Sequence, residues 1–340
     1  MKTIKAMKTN YLALISLSFF AFIIIIMPVT GYAKTLSAKA ETALGDNYYN
    51  GTGGTKQDYA KAVYWYKKAA AQGYALAEAD LGYAYEHGFG ITQNYSMAAY
   101  WFKKGASQGN PQAENNLGNL YYKGYGVAQD YVAAAGLFRK AAAQDDATAE
   151  DWMGYIYKYG KGVPQDYAKA VYWFKKAAAH GIASSQYDLG NAYEYGDGVP
   201  QDYSTADYWY GKAANQGYAM AENSLGFAYD NGRGLQKNSE TAVYWYKKSA
   251  AQGNKAAEYN LGHAYEYGEG VPQDYSLAVY WFKKSADQGD DFAENNLGLA
   301  YYYGHGVPKD YSLAVYWLKK AAAQGSATSK RNLSIIEKQH

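Results

Sequence analysis

The sequence predicts an all-α solenoid, built of eight helix-turn-helix units of 36 residues and closed by a C-terminal half-unit. Three observations lead there. Leu-Gly pairs end at Gly82, Gly118, Gly190, Gly226, Gly262 and Gly298, and Met153-Gly154 fills the one gap, so the interval recurs without an insertion. A Gly-x-Gly loop follows each pair at a fixed distance, and an Asp or Asn follows each loop. Between these markers, apolar residues recur at helical spacing. Two short helices cannot bury their apolar faces alone, but copies stacked side by side share one continuous core.

The chain opens on Lys2, Lys5 and Lys8, runs through an apolar stretch from Tyr11 to Met27 and leaves it by Pro28 and Gly31-Tyr32-Ala33. This order is that of a secretory signal peptide, with cleavage expected after Ala33 and therefore a leader at 1–33. The apolar stretch also reaches the lower limit for crossing a bilayer, so an N-terminal membrane anchor is the alternative if the leader is not cleaved. The rest of the chain holds no second run of that length, and no stable membrane span is expected after cleavage. With no cysteine, a lipid anchor is excluded. The expected destination is export, periplasmic or secreted.

The solenoid is expected over 34–325, in units at about 37–73, 74–109, 110–145, 146–181, 182–217, 218–253, 254–289 and 290–325. In the second unit the first helix carries Ala77, Leu81, Gly82 and Tyr85 as an apolar stripe with a glycine where a neighbour must come close. It stops at Gly88-Phe89-Gly90, a loop that Pro164, Pro200, Pro272 and Pro308 stiffen in later units. The second helix is expected to start behind Asp58, Asn94, Asp130, Asp166, Asp202, Asn238, Asp274 and Asp310, all preferred N-cap residues. It carries Tyr95, Ala98, Trp101, Phe102 and Ala106 and ends at Gln108-Gly109. The first unit has one extra residue in its loop, Gly51-Thr52-Gly53-Gly54. Leu137 replaces the Trp, Ser239 the Tyr and Asp145 the terminal Gly in single units. Residues 326–340 are expected to form a capping helix that turns Leu333, Ile335 and Ile336 inward.

The pattern Ala-x-x-x-Leu-Gly-x-x-Tyr, then Gly-x-Gly-Val-Pro-Gln-Asp-Tyr, then Ala-x-x-Trp-Phe-Lys-Lys-Ala-Ala-x-Gln-Gly, which Gly160 to Gly181 and its flanks follow closely, resembles the Sel1-like repeat. The resemblance covers essentially the whole chain behind the leader. It implies a right-handed α/α superhelix related to tetratricopeptide arrays, serving as a scaffold or adaptor for other proteins. Some exported bacterial relatives serve envelope functions or host contact. A cysteine-rich branch, linked to penicillin binding and hydrolysis, staples each unit with a Cys pair, and this chain has none.

Composition removes several function classes. Zero cysteine excludes disulfides, thiolate metal sites and Cys nucleophiles. The formal net charge is +2, and taking away the leader's three lysines leaves 30 basic against 31 acidic residues. Such a balance speaks against a nucleic-acid partner. His87, His180, His263, His305 and His340 occupy unrelated columns of the repeat, with no two at i, i+4, so neither a metal nor another cofactor is expected. The Gly-x-Gly loops follow helices rather than strands and lack the Lys-Ser/Thr of a phosphate-binding loop. Acids already have structural work, the Asp/Asn column as caps and the Glu78 column in the first turn of each first helix, where the macrodipole favours negative charge. No catalytic residues are expected.

Comparison of the units with one another supplies candidate binding residues. Tyr85 and its counterparts hardly change, which marks a packing column. Two other columns of the first helix vary: one holds Tyr83, Asn119, Tyr155, Asn191, Phe227, His263 and Leu299, the other His87, Lys123, Tyr159, Tyr195, Asn231, Tyr267 and Tyr303. If the first helices line the concave side, as the resemblance implies, then Tyr83, His87, Tyr155, Tyr159, Asn191, Tyr195, Phe227, His263, Tyr267 and Tyr303, with Tyr122 beside them, face a groove. Tyrosine offers a large rigid surface and a hydroxyl, which suits a protein or peptide partner. A cell-wall or glycan-binding module is the alternative reading, and a cell-wall-active hydrolase the second. Lys-Lys pairs at Lys67-Lys68, Lys103-Lys104, Lys175-Lys176, Lys247-Lys248, Lys283-Lys284 and Lys319-Lys320 form a ridge along the second helices, read chiefly as solvated surface near helix C-termini.

Overall fold

The computed structural model describes residues 36–339; the expected leader and its cleavage site lie outside them. Among the described residues there are 17 α-helices and no strand. The first helices of the eight units are α1 (Ala38–Asn50), α3 (Ala75–His87), α5 (Pro111–Lys123), α7 (Ala147–Tyr159), α9 (Ala183–Tyr195), α11 (Ala219–Asn231), α13 (Lys255–Tyr267) and α15 (Asp291–Tyr303). The second helices are α2 (Tyr59–Ala71), α4 (Tyr95–Ser107), α6 (Tyr131–Ala142), α8 (Tyr167–Ala179), α10 (Tyr203–Asn215), α12 (Ser239–Ala251), α14 (Tyr275–Asp287) and α16 (Tyr311–Ala323), and α17 (Ala327–Gln339) closes the array. None of these helices is long and apolar enough to cross a membrane.

Caps fix the boundaries. Every second helix starts behind its Asp or Asn, whose carboxylate or amide oxygen accepts from a first-turn N–H: Asp58 from Lys61 at 3.0 Å, Asp130 from Ala133 at 2.9 Å, Asp310 from Leu313 at 2.9 Å. Each such cap contributes about 1 kcal/mol. Gly90 shows why the loop needs its second glycine. With φ at 68° it lies against the backbone of Tyr59 and Ala60, so a Cβ there would overlap the start of the preceding unit's second helix. Asp145, with φ 59°, stands where other units carry a glycine and is the one non-glycine at positive φ among the described residues.

Inside a unit, the glycine of the Leu-Gly pair lets an aromatic ring of the second helix approach. A Cβ on Gly82 would sit 2.6 Å from the Phe102 ring. The buried residues then fall into seven clusters, each joining the second helix of one unit to the first helix of the next, as Ala62, Val63, Tyr66 and Ala69 do with Ala77 and Leu81. Leu137 fills the vacated Trp place as a partly buried residue of this kind.

The Glu78 column does more than complement a dipole. Glu78 is buried, and Gln108 at the end of the paired helix donates its amide to it at 2.7 Å. Glu114 with Gln144, Glu222 with Gln252, Glu258 with Gln288 and Glu294 with Gln324 repeat the contact at 2.7 to 3.0 Å. Where Gln186 replaces the acid, Gln216 donates to its carbonyl oxygen at 2.8 Å, so the clasp survives without the charge. Glu150 has His180 in place of Gln, and Lys176 approaches it to 2.6 Å instead.

α17 packs on α16, and the expectation for its inward face needs one correction. Ile336 is buried and Leu333 half-buried, but Ile335 is 44% exposed. Residues 333 and 336 are three apart and share a face, whereas 335 is rotated one position off it.

Candidate functional site

Four residues advance a helix by about 400°, so positions 83 and 87 of a unit share one face, while position 85 points nearly opposite. The side chains follow this geometry. Tyr159, Tyr195, Tyr267 and Tyr303 are 49%, 66%, 60% and 53% exposed, and His87 is exposed as well. One turn earlier, Tyr155 and Phe227 are exposed and Tyr83 and His263 half-buried. Pairs from the two columns stack along the helix: Tyr83 on His87 at 4.1 Å between ring centres, Tyr155 on Tyr159 at 4.5 Å and His263 on Tyr267 at 4.5 Å.

Two of the expected site residues have packing duties instead. Tyr122 is half-buried against the joint between α6 and α7, with Tyr131 and Trp152 both 5.0 Å from its ring, and burial raises its phenol pKa. Asn191 accepts from the hydroxyl of Tyr210 at 2.8 Å, which ties it to the core rather than to the surface. The Tyr85 column is half-buried rather than fully so; Tyr193, for example, packs at the margin of the joint between α10 and α11 with Lys175 5.6 Å above its ring.

The Lys-Lys ridge is partly internal. The second lysine of a pair lies over its own unit's rings, Lys68 at 5.0 Å from both Tyr64 and Trp65, and reaches toward the buried glutamate, Lys320 to Glu294 at 2.9 Å and Lys248 to Glu222 at 3.4 Å.

Comparing only the two variable columns misses the acids near them. Asp46 and Asp80 face a cavity of about 380 Å³ with Tyr49, Tyr66 and Tyr83. Burial, then the charge of Asp46, pushes the Asp80 carboxyl up to about 7. Farther along, Asp207 is 6% exposed, and Glu194 is bonded by Tyr210 at 2.6 Å and by Arg233 at 2.8 Å. Burial, then Glu194, pushes Asp207 up to about 7, and Arg233 opposes the rise. A signal for Asp207 was present in the chain: its column otherwise holds Val63, Ala99, Ala135, Val171, Val243, Val279 and Val315. His263 Nδ1 lies 3.5 Å from Glu269, and both side chains are more than two-fifths exposed. No group of three or more His, Asp or Glu among the described residues could hold a metal ion.

The Sel1 repeat family matches residues 38–74, 75–110, 111–146, 147–182, 183–218, 219–254, 255–290 and 291–326. The chain belongs to the Sel1 repeat family. Among solved structures it is similar to c5321, a protective antigen present in uropathogenic Escherichia coli strains displaying an SLR fold, at 36% identity and TM-score 0.79. That match covers 90% of this chain and 66% of the antigen, so the chain spans about two thirds of that relative's length. A Sel1 repeat protein from Oxalobacter formigenes matches at 31% identity and TM-score 0.66, covering 88% of this chain and 86% of that one. No curated protein matches. Sel1 repeat solenoids are generally scaffolds for protein–protein interaction, and their fold is generally non-catalytic.

Proposed function

We propose that this Sel1 repeat protein is an exported, non-catalytic scaffold that binds a protein or peptide partner on a groove lined by its first helices. One observation carries the reading. Tyr159, Tyr195, Tyr267 and Tyr303 occupy one column, each 49–66% exposed, while the neighbouring Tyr column packs into the joints. Large rigid side chains left in water at whole-repeat spacing are the kind of residue on which interface energy concentrates. The expected leader supports export, and the boundaries of the units support an array whose working surface is the sum of its copies. The half-exposed His263–Glu269 pair, with no Ser or Thr hydroxyl bonded to it among the described residues, gives a hydrolase little support.

Affinity capture with the chain from Lys34 onward as bait tests this reading. A partner retained by the native chain and lost from the quadruple Tyr→Ala variant at 159, 195, 267 and 303 is the expected result; a partner retained equally by both would place binding elsewhere.

A further inference from the structure

Units one and two meet around Tyr66, and units five and six around Tyr210, in a column that elsewhere holds Phe102, Phe138, Phe174, Tyr246, Phe282 and Leu318. In both joints the phenol hydroxyl donates to a carboxylate on the first helix and holds it in place: Tyr66 to Asp46 at 2.9 Å, Tyr210 to Glu194 at 2.6 Å. Each joint also carries a second carboxyl, Asp80 in one and Asp207 in the other.

The central joint shows what such a place accepts. The guanidinium of Arg233 lies 5.3 Å from the Tyr203 ring centre and 5.2 Å from that of Phe227, and its Nη1 donates to Glu194 at 2.8 Å. Asp207 completes the cluster, 94% removed from solvent, with an Oδ2 that has no hydrogen-bond partner among the described residues. Only about 10 Å³ remains open beside them, room for one water. The chain itself therefore seats a basic side chain between aromatic faces and carboxylates, an arrangement that combines cation–π attraction with charge-assisted hydrogen bonding.

At the N-terminal joint the same columns are differently filled. Phe89 stands in the column of Arg233, Tyr83 in that of Phe227 and Asp80 in that of Ser224. None of the residues lining the cavity is basic, Asp80 makes no hydrogen bond or ion pair among the described residues, and about 380 Å³ stands open. We propose that the cavity between Asp46 and Asp80 is a seat for a basic side chain of the peptide or protein partner, arginine ahead of lysine. It takes in trans what Arg233 supplies in cis four units along. Arginine is preferred because a planar guanidinium can lie against the Tyr49 and Tyr83 rings while its fork of donors meets carboxylate oxygens. This rests on the groove reading above, and it names the chemistry that one end of the groove selects.

The test uses the chain from Lys34 onward, N-acetyl-arginine methylamide as probe and the isosteric, uncharged N-acetyl-citrulline methylamide as control, followed by amide NMR shifts. Saturable shifts at residues 46–50 and 80–83 are expected with arginine and not with citrulline. Asp80→Asn, isosteric and therefore compatible with the fold, should weaken the arginine response roughly tenfold, the scale of one lost charge-assisted contact. Tyr172→Ala, an exposed tyrosine on a second helix, should leave it unchanged. Arg233→Ala should open a second seat, read as new saturable shifts at residues 194, 203 and 227. Equal responses to both probes, an arginine response that survives Asp80→Asn, or the failure of Arg233→Ala to gain a seat would overturn the proposal. If the seat fails while the Tyr→Ala variant still loses its captured partner, only the seat is lost and the groove reading stands.

Discussion

Tyr193 and Tyr195 lie two residues apart on one helix and face opposite ways, Tyr195 66% exposed and Tyr193 packed at the margin of a joint. Replacing Tyr195 with Ala is expected to cost roughly 1–2 kcal/mol of partner binding and to leave stability within about 0.5 kcal/mol. Tyr193→Ala should do the reverse. Because its ring is half-buried, the stability loss should be roughly 1–2 kcal/mol, less than a fully buried aromatic would cost. Urea unfolding of both variants beside a binding titration checks the pair; equal effects on either quantity would sink the division between surface and core.

Asp207 makes stability depend on pH in a definite direction. Its folded pKa of about 7 lies above the ordinary aspartate value near 3.9, so the folded state holds the proton more tightly. Its contribution is complete below the unfolded pKa and is lost as pH rises through the folded one, so stability should decline between about pH 4 and pH 7. Asp207→Val, which restores the residue of Val171 and Val243, is expected to raise Tm at neutral pH and to flatten that decline. Thermal melts of both proteins across the window would decide it; a lower Tm for the variant at pH 7 would count against this account.

Asp145 holds a left-handed backbone that costs a non-glycine residue roughly 1 kcal/mol. Asp145→Gly should return about that amount. Its contact with Lys176, at 3.5 Å and with the Asp side chain 78% exposed, is too solvated to offset the gain. Chemical denaturation is the measurement, and an unchanged or lower midpoint would contradict the prediction.

Deleting residues 326–340 should lower Tm and promote association, because Ile336 and Leu333 cover the end of the last joint. Excising 182–217, one whole period, should leave a folded protein. Melting curves and light scattering on the two deletions compare them, and equal damage would argue against modular packing.

If the proposed export holds, the intact mass of the mature protein should correspond to a chain starting at Lys34, since the charged start, apolar run and small-residue exit are what a signal peptidase reads. A mass that retains 1–33 would support the anchor instead.

The array was legible because its signals are local. The period, the Asp/Asn caps and the glycine loops depend only on neighbours in the chain, and Asp58 through Asp310 cap their helices as the spacing predicts. What escaped depends on contacts made across helices. Glu78 reads as a dipole partner until Gln108 is seen to meet it, thirty residues on. The exposure of Ile335 and the packing of Tyr122 depend on how each helix is rotated against its neighbours, and the bond that Asn191 accepts depends on a tyrosine nineteen residues on. The acids of the central joint were readable in part, because Asp207 breaks an otherwise apolar column, but the convergence of Asp207 and Glu194 with Arg233 was not.

Because each buried cluster joins only one unit to the next, an applied force meets the joints one after another, like springs in series. A small angular strain at every joint adds along the array into a large change of curvature, while no single joint leaves its packed minimum. Compliance should therefore scale with the number of copies, and a ligand that grips both ends would adjust the bend of everything between them.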